Sequence, residues 1–130
     1  MQLIFFSIAM QNYKNLNVWH KSHALTLNVY CQTKLFPKEE LFNLTSQFRR
    51  SSVSIAANIA EGCGKSSRRD CKRFFEIALG SANETEYYII LSKDLSYLKE
   101  EKHGELFSQI NEVKAMLINL IKKQTLSIES

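Results

Sequence analysis

Basic residues concentrate in one short segment of the chain, where their spacing suits the binding of phosphate groups. Between Lys65 and Arg73 there are five bases and one acid, Asp70, which gives a local charge of +4. The formal net charge of the whole 130-residue chain is also +4, so the rest of the sequence is balanced. A surface that gathers all of the excess charge is typical of nucleic-acid contact. The alternative, a solvated helix start whose arginines pair with local carboxylates, stays open.

Two arginines shortly before this segment complete the candidate set. The predicted nucleic-acid-binding residues are Arg49, Arg50, Lys65, Arg68, Arg69, Lys72 and Arg73. No aromatic residue is interleaved with these basic residues, so stacking on unpaired nucleobases is not expected. We therefore predict contacts to the backbone or the shape of structured RNA, without sequence readout.

Other residue patterns that suggest chemistry are weaker. Gly64-Lys65-Ser66 is similar to the end of a phosphate-binding loop, but Ile59 stands where that motif needs its first glycine. His20 and His23 share one helix face with no third ligand placed beside them, so we predict no metal site and no cofactor. Glu61 is interpreted as a structural residue. No pair of nucleophile and base can be named, and we predict no catalytic residue, no small-molecule substrate and no enzyme activity.

Helices are the elements expected to position these residues. The composition, 45% hydrophobic and 23% charged, is that of one globular domain. The single proline, Pro37, and four glycines leave too few turn residues for a β-sandwich or barrel. Apolar residues recur at helical spacing in the four stretches that these residues separate. We therefore predict an all-α fold, an antiparallel up-down-up-down four-helix bundle over residues 17–123.

The same turn residues set the expected helix bounds. The predicted helices span residues 17–34, 38–62 and 67–98, with a fourth from the turn at 102–104 to residue 123. Ser66 or Ser67 is expected to cap the third helix, with Asp70 in its first turn. Residues 1–16 are predicted to form an extension that is poorly ordered in part, and residues 124–130 a frayed tail. The apolar run in residues 1–9 is too short for a membrane span.

Apolar and aromatic positions at near-heptad spacing define the predicted core. Its members are Leu41, Leu44, Phe48, Ile55, Phe74, Tyr88, Leu95, Ile110, Val113 and Leu117.

The second predicted helix contains ten consecutive residues without a charge, 51–60. A helix of an isolated bundle keeps one face in water, so an uncharged stretch indicates either a tight bundle centre or a face that meets other copies. We predict a homo-oligomer with closed symmetry. The predicted interface residues are Ser51, Ser54, Ala57, Asn58 and Glu61.

Cysteine usage indicates the compartment. Three cysteines cannot pair completely, and Cys31, Cys63 and Cys71 lack the spacing of metal ligands. A reducing environment is therefore expected, and we predict a cytoplasmic protein without a membrane partner.

A series of motifs also runs from Leu16 to Lys123. They are Trp19, Tyr30, Phe36-Pro37, Gln47-Phe48-Arg49-Arg50, Ser54-Ile55, Asn58-Ile59-Ala60-Glu61-Gly62, Phe74-Phe75 and Ala78-Leu79-Gly80-Ser81. With these motifs the sequence resembles the four-helix-bundle proteins encoded in intervening sequences of bacterial 23S ribosomal RNA genes, called the S23 ribosomal protein family. A relative of that family is the accessory variability determinant of diversity-generating retroelements. The resemblance implies a homopentamer associated with RNA. The alternative is a protein-interaction scaffold or accessory subunit, for example of a reverse transcriptase, without direct RNA contact.

Overall fold

A computed structural model describes residues 8–129 of the chain, except for the side chain of Glu129. It contains four helices: α1 Asn17–Thr33, α2 Leu44–Cys63, α3 Arg68–Asp94 and α4 Glu100–Glu129. Short 3₁₀ turns at Tyr13–Asn15 and Lys38–Glu40 precede α1 and α2, and residues 8–129 contain no strand. The part of the predicted N-terminal extension before Ile8 lies outside the described residues.

The four helices form a ring in which each packs on two neighbours. The packed pairs are α1 with α2, α2 with α3, α3 with α4, and α4 with α1. Short connections join consecutive helices, so neighbours run antiparallel and the predicted up-down-up-down bundle is confirmed. The α2–α3 turn therefore lies at the same end of the bundle as the last turns of α4, which we call the basic end. The α1–α2 and α3–α4 connections lie at the far end.

The start of α2 differs from the prediction. The residues after Pro37 form only a 3₁₀ turn, and α2 begins at Leu44 rather than near Lys38. Asn43, which precedes α2, has backbone angles of φ −116° and ψ −106°, outside the helical region. Asparagine has a low helix propensity, and the Asn43 side chain makes no capping hydrogen bond to α2.

The break between α3 and α4 is also earlier than predicted. α3 ends at Asp94 because Ser96 adopts the left-handed region at φ 64°. The amide of Tyr97 donates to the Ser92 carbonyl at 2.8 Å and that of Ser96 to Lys93 at 2.8 Å, the pattern of a Schellman cap. Consequently α4 begins at Glu100. The predicted turn at 102–104 is wrong, and α4 continues past residue 123 to Glu129.

The core follows the predicted seams of α2 and α4 but not that of α3. Leu44, Phe48, Ile55, Ile110, Val113 and Leu117 are buried as predicted. In contrast, Leu41 and Leu95 are 48% and 44% exposed, and Phe74 and Tyr88 are half-buried. The buried seam of α3 consists of Cys71, Phe75, Ala78, Ala82, Thr85, Ile89 and Ser92. The predicted positions Phe74, Tyr88 and Leu95 are spaced by multiples of seven residues, and the buried seam also has heptad spacing, so periodicity alone did not distinguish the two faces. None of the described helices combines the length and apolar character needed to cross a membrane.

Gly62 does not end α2, as the sequence suggested, but lets α2 and α3 approach closely. A Cβ at this buried position would lie 3.1 Å from the Cys71 carbonyl oxygen and 3.1 Å from the Phe75 ring. Gly62→Ala is therefore expected to lower the free energy of unfolding by about 1–3 kcal/mol, because the backbones must separate. Urea denaturation measures the loss.

Gly80 provides the matched control for that substitution. It lies inside α3, where an added Cβ would have no atom within 4 Å apart from the neighbouring residues and backbone of its own helix. Gly80→Ala should raise the free energy of unfolding by about 0.5–1 kcal/mol, since alanine loses less backbone entropy in a helix. Equal effects of the two substitutions would contradict the close α2–α3 contact.

Candidate nucleic-acid interface

A tight reversal between α2 and α3 carries the basic segment to the basic end of the bundle. α2 closes where the amide of Gly64 donates to the Glu61 carbonyl at 3.1 Å. α3 begins at Arg68, and the Ser67 hydroxyl accepts from the amide of Asp70 at 3.1 Å. The predicted serine cap is thus confirmed at Ser67. The only acid of the segment lies in this first turn, where its charge complements the helix dipole.

Phe74 contacts two of the five basic side chains. The Lys65 Nζ lies 4.9 Å from the centre of the Phe74 ring, and the Arg73 Cζ lies 5.3 Å from it. Both distances suit cation–π interaction. The sequence assigned Phe74 to the core and so missed this role, although a phenylalanine directly after a basic run is visible in the sequence.

Arg68 connects the basic segment to α4. Its Nη1 donates to the carbonyl oxygen of Ser127 at 3.5 Å. Carbonyls in the last turn of a helix carry partial negative charge, so a cation is favourable there. Arg68 thus contributes to packing as well as to the charge of the surface.

Three of the five basic residues, Arg73 among them, line a cleft between the first turns of α3 and the last turns of α4. Its volume is 470 Å³. The lining residues are Arg69, Lys72, Arg73, Glu76, Thr125 and Ile128. Three cations and one carboxylate leave the cleft positively charged, which makes it suitable for an anion. The sequence did not reveal the cleft, because one of its walls comes from the segment predicted to fray.

Arg49 and Arg50 are not brought to the basic end. Arg49 lies near the start of α2, where its Nε donates to the Thr33 hydroxyl at 2.8 Å and its Cζ lies 4.8 Å from the Tyr30 ring centre. Fourteen residues separate it from Cys63, about 21 Å along the helix axis. The structure thus separates the two arginines from the other five predicted residues.

The predicted interface residues of α2 face two directions. Ser51 is 4% exposed and lies inside the chain, with its hydroxyl 2.9 Å from that of Thr85. Ser54 is half-buried and accepts from the Ser81 hydroxyl at 2.9 Å and from Asn58 Nδ2 at 2.9 Å. Ala57 and Glu61 are exposed.

An apolar groove lies beside Ala57, between α1 and α2. Its volume is 390 Å³. The lining residues are Tyr13, Trp19, His23, Thr26, Val53, Ala56, Ala57 and Ala60. Val53 is 42% exposed, so the uncharged stretch of α2 is not covered on all sides by the chain itself.

The two candidate metal-binding histidines make other contacts. His20 Nε2 lies 2.7 Å from the Lys14 carbonyl oxygen, and the His23 ring stacks on Trp19 at 5.3 Å. Among residues 8–129, no three histidine, cysteine or acidic side chains come together as a metal site.

The three cysteines are free thiols that differ in reactivity. Cys31 is exposed, whereas Cys63 and Cys71 are buried. Burial raises the pKa of the Cys63 thiol to about 11. Burial, together with the nearby Cys63, raises the pKa of Cys71 to about 12. The thiolate is the reactive form, so iodoacetamide at pH 7.5 should label Cys31 alone, as mass spectrometry would show. Labelling of Cys63 or Cys71 at a similar rate in the folded protein would contradict their burial.

Comparison with known proteins gives one family match. The model of the family described as 23S rRNA-intervening sequence protein matches residues 14–119, a range that includes the basic segment. The chain is also similar to the crystal structure of a protein of unknown function from the S23 ribosomal protein family of Bacteroides thetaiotaomicron VPI-5482. That similarity has a TM-score of 0.75 at 32% identity and covers 81% of this chain and 98% of that chain. No match is found among curated proteins. The resemblance read from the motifs is confirmed.

Proposed function

The chain belongs to the 23S rRNA-intervening sequence protein family, and from this membership we propose that it is a non-catalytic, oligomeric protein that contacts structured RNA. The contact surface is the basic end of the bundle. One observation carries the proposal: residues 65–73 hold a charge of +4, equal to the net charge of the chain. The cytoplasm is the proposed compartment, in agreement with three free thiols.

The arrangement of the lysine and arginine side chains favours contact with the RNA backbone over contact with the nucleobases. Phe74 is the aromatic ring that contacts the basic segment, and two cations already lie against it. Lysine and arginine neutralise phosphates and release counterions, which gives affinity without sequence readout. A structured RNA presents such phosphates at closely spaced positions along each strand.

Salt dependence tests this proposal. An RNA hairpin titrated with the purified protein should bind at physiological salt. Between 50 and 200 mM salt its affinity should fall by roughly 10²- to 10³-fold, the loss expected of four or five phosphate contacts. Binding that is absent at low salt, or that does not change with salt, would contradict a charge-driven backbone contact.

The proposal includes a homopentamer, in which the exposed stripe of α2 forms the contact between copies. The stripe is uncharged along Val53 and Ala57 and borders the 390 Å³ apolar groove. A second copy that covers this groove would remove apolar surface from water, the main driving force of association. Oligomerisation would also repeat the basic end and add its phosphate contacts.

Ala57→Glu tests the α2 contact. Ala57 is exposed on the single chain, so a carboxylate there should leave the bundle folded. Association would bury this carboxylate without a partner charge, which is costly, so the variant should not associate. Light scattering should give about five times the chain mass of 15.0 kDa for the unchanged protein and one chain mass for the variant. Ala115→Glu, at an exposed alanine of α4, is the control and should leave the oligomer intact. A monomeric unchanged protein would contradict the assembly.

A protein-interaction scaffold without RNA contact is the second candidate, favoured by apolar side chains at the far end of the bundle. Four of them are exposed there: Leu35 81%, Leu41 48%, Phe42 87% and Leu95 44%. Exposed apolar surface of this kind is typical of protein contacts. This candidate is supported if RNA does not bind and one partner protein is recovered whose binding requires Phe42 but not the basic segment.

A further inference from the structure

One carboxylate lies among the cations of the cleft between α3 and α4. Glu76 follows Lys72 by four residues and Arg73 by three, spacings at which helical ion pairs commonly form. Nevertheless, none of the ion pairs among residues 8–129 involves Glu76. An unpaired acceptor therefore faces a cleft whose other charged groups are Arg69, Lys72 and Arg73.

A cleft for phosphate alone would not need such a group. A carboxylate repels a phosphate but accepts strongly from a hydroxyl group. RNA carries a 2′-hydroxyl beside every backbone phosphate, and DNA carries none. Three cations and one carboxylate thus match the two kinds of group along an RNA strand.

We propose that Glu76 accepts a hydrogen bond from a ribose 2′-hydroxyl while Arg69, Lys72 and Arg73 hold the adjoining phosphates, so that the cleft selects RNA over DNA. This inference rests on the proposed function and adds the specificity-determining residue. The 470 Å³ cleft lies within the ~300–1,000 Å³ range of ligand sites and has room for a backbone segment.

The opposite wall of the cleft suits a ribose. The Thr125 hydroxyl donates to the Ile121 carbonyl at 2.9 Å, which leaves its oxygen as a further acceptor. Ile128 provides apolar surface beside it. With a strand that has no 2′-hydroxyl, Glu76 would lose water without gaining a donor, and such an unsatisfied charged group weakens binding.

The test compares one hairpin sequence made as RNA and as its 2′-fluoro analogue, which keeps the A-form shape but has no 2′ donor. Fluorescence anisotropy at fixed salt should show that the unchanged protein prefers RNA by about 10- to 100-fold, the range of one hydrogen bond to a charged group. Glu76→Ala should reduce that preference to near one while still binding both hairpins. Glu76→Gln keeps an acceptor oxygen and should retain part of the preference.

Asp94→Ala is the charge-matched control, because it removes an exposed carboxylate at the other end of α3. It should leave the preference unchanged. Equal affinity of the unchanged protein for the two hairpins, or a preference that persists in Glu76→Ala, would overturn the inference while the RNA contact stands. Failure of the unchanged protein to bind either hairpin would overturn the proposed function as well.

Discussion

Replacement of Phe75 by alanine should lower the free energy of unfolding by about 3–5 kcal/mol, whereas Phe74→Ala should cost about 1 kcal/mol. Phe75 is fully buried in the core seam of α3, with its ring against the backbone of Gly62. Its removal leaves a cavity that the close α2–α3 contact cannot collapse to fill. Phe74 is half-buried and lies against Lys65 and Arg73, so its loss removes two cation–π contacts.

Urea denaturation of the two variants measures this difference. The adjacent phenylalanines have the same volume and lie in the same helix turn, so each is the control for the other. A larger loss for Phe74→Ala than for Phe75→Ala would mean that the core seam of α3 runs along Phe74 and Leu95, and equal losses would contradict the difference in burial between the two rings.

Neutralising the basic end should reduce RNA affinity by roughly 10³-fold at physiological salt. Each phosphate contact contributes about −0.9 to the slope of log affinity against log salt concentration. The loss of four or five contacts therefore accounts for a roughly 10³-fold loss of affinity. The variant replaces these residues by glutamine: Lys65, Arg68, Arg69, Lys72 and Arg73. The slope should become shallower by about 4, measured by titrating one RNA hairpin at several salt concentrations.

A matched control removes as much charge from the far end. There the glutamine substitutions are at Lys34, Lys38, Lys93, Lys99 and Lys102. This control has the same net charge as the first variant and should keep most of the affinity and of the salt slope. If the two variants bind equally weakly, overall charge rather than the basic end determines binding. Circular dichroism checks that both remain folded, which matters because Arg68 also contacts the Ser127 carbonyl.

Helix content and order were predictable because apolar periodicity persists through four long stretches. The positions of the breaks between the helices were less predictable. Glycine and proline served as the markers of turns, yet Gly62 and Gly104 lie inside helices. The chain instead breaks at Asn43 and reverses at Ser96, where a serine adopts the left-handed conformation that usually indicates glycine.

The candidate site was predictable only where it is local in sequence. The segment from Lys65 to Arg73 is contiguous, and the serine cap that begins α3 follows from residue type. The position of Arg49 depends on helix length, and the cleft with Glu76 depends on the path of α4 past residue 123. These features are tertiary, and no local pattern indicates them.

Site-specific photocrosslinking tests most directly whether RNA binds at the basic end. A benzophenone attached at Ser66, which is exposed beside the basic segment, should crosslink to a bound RNA hairpin at physiological salt. The same group at Asn43, exposed at the far end, should not. Crosslinking from Asn43 alone, or from neither position while the hairpin is bound, would contradict RNA contact through the basic end of the bundle.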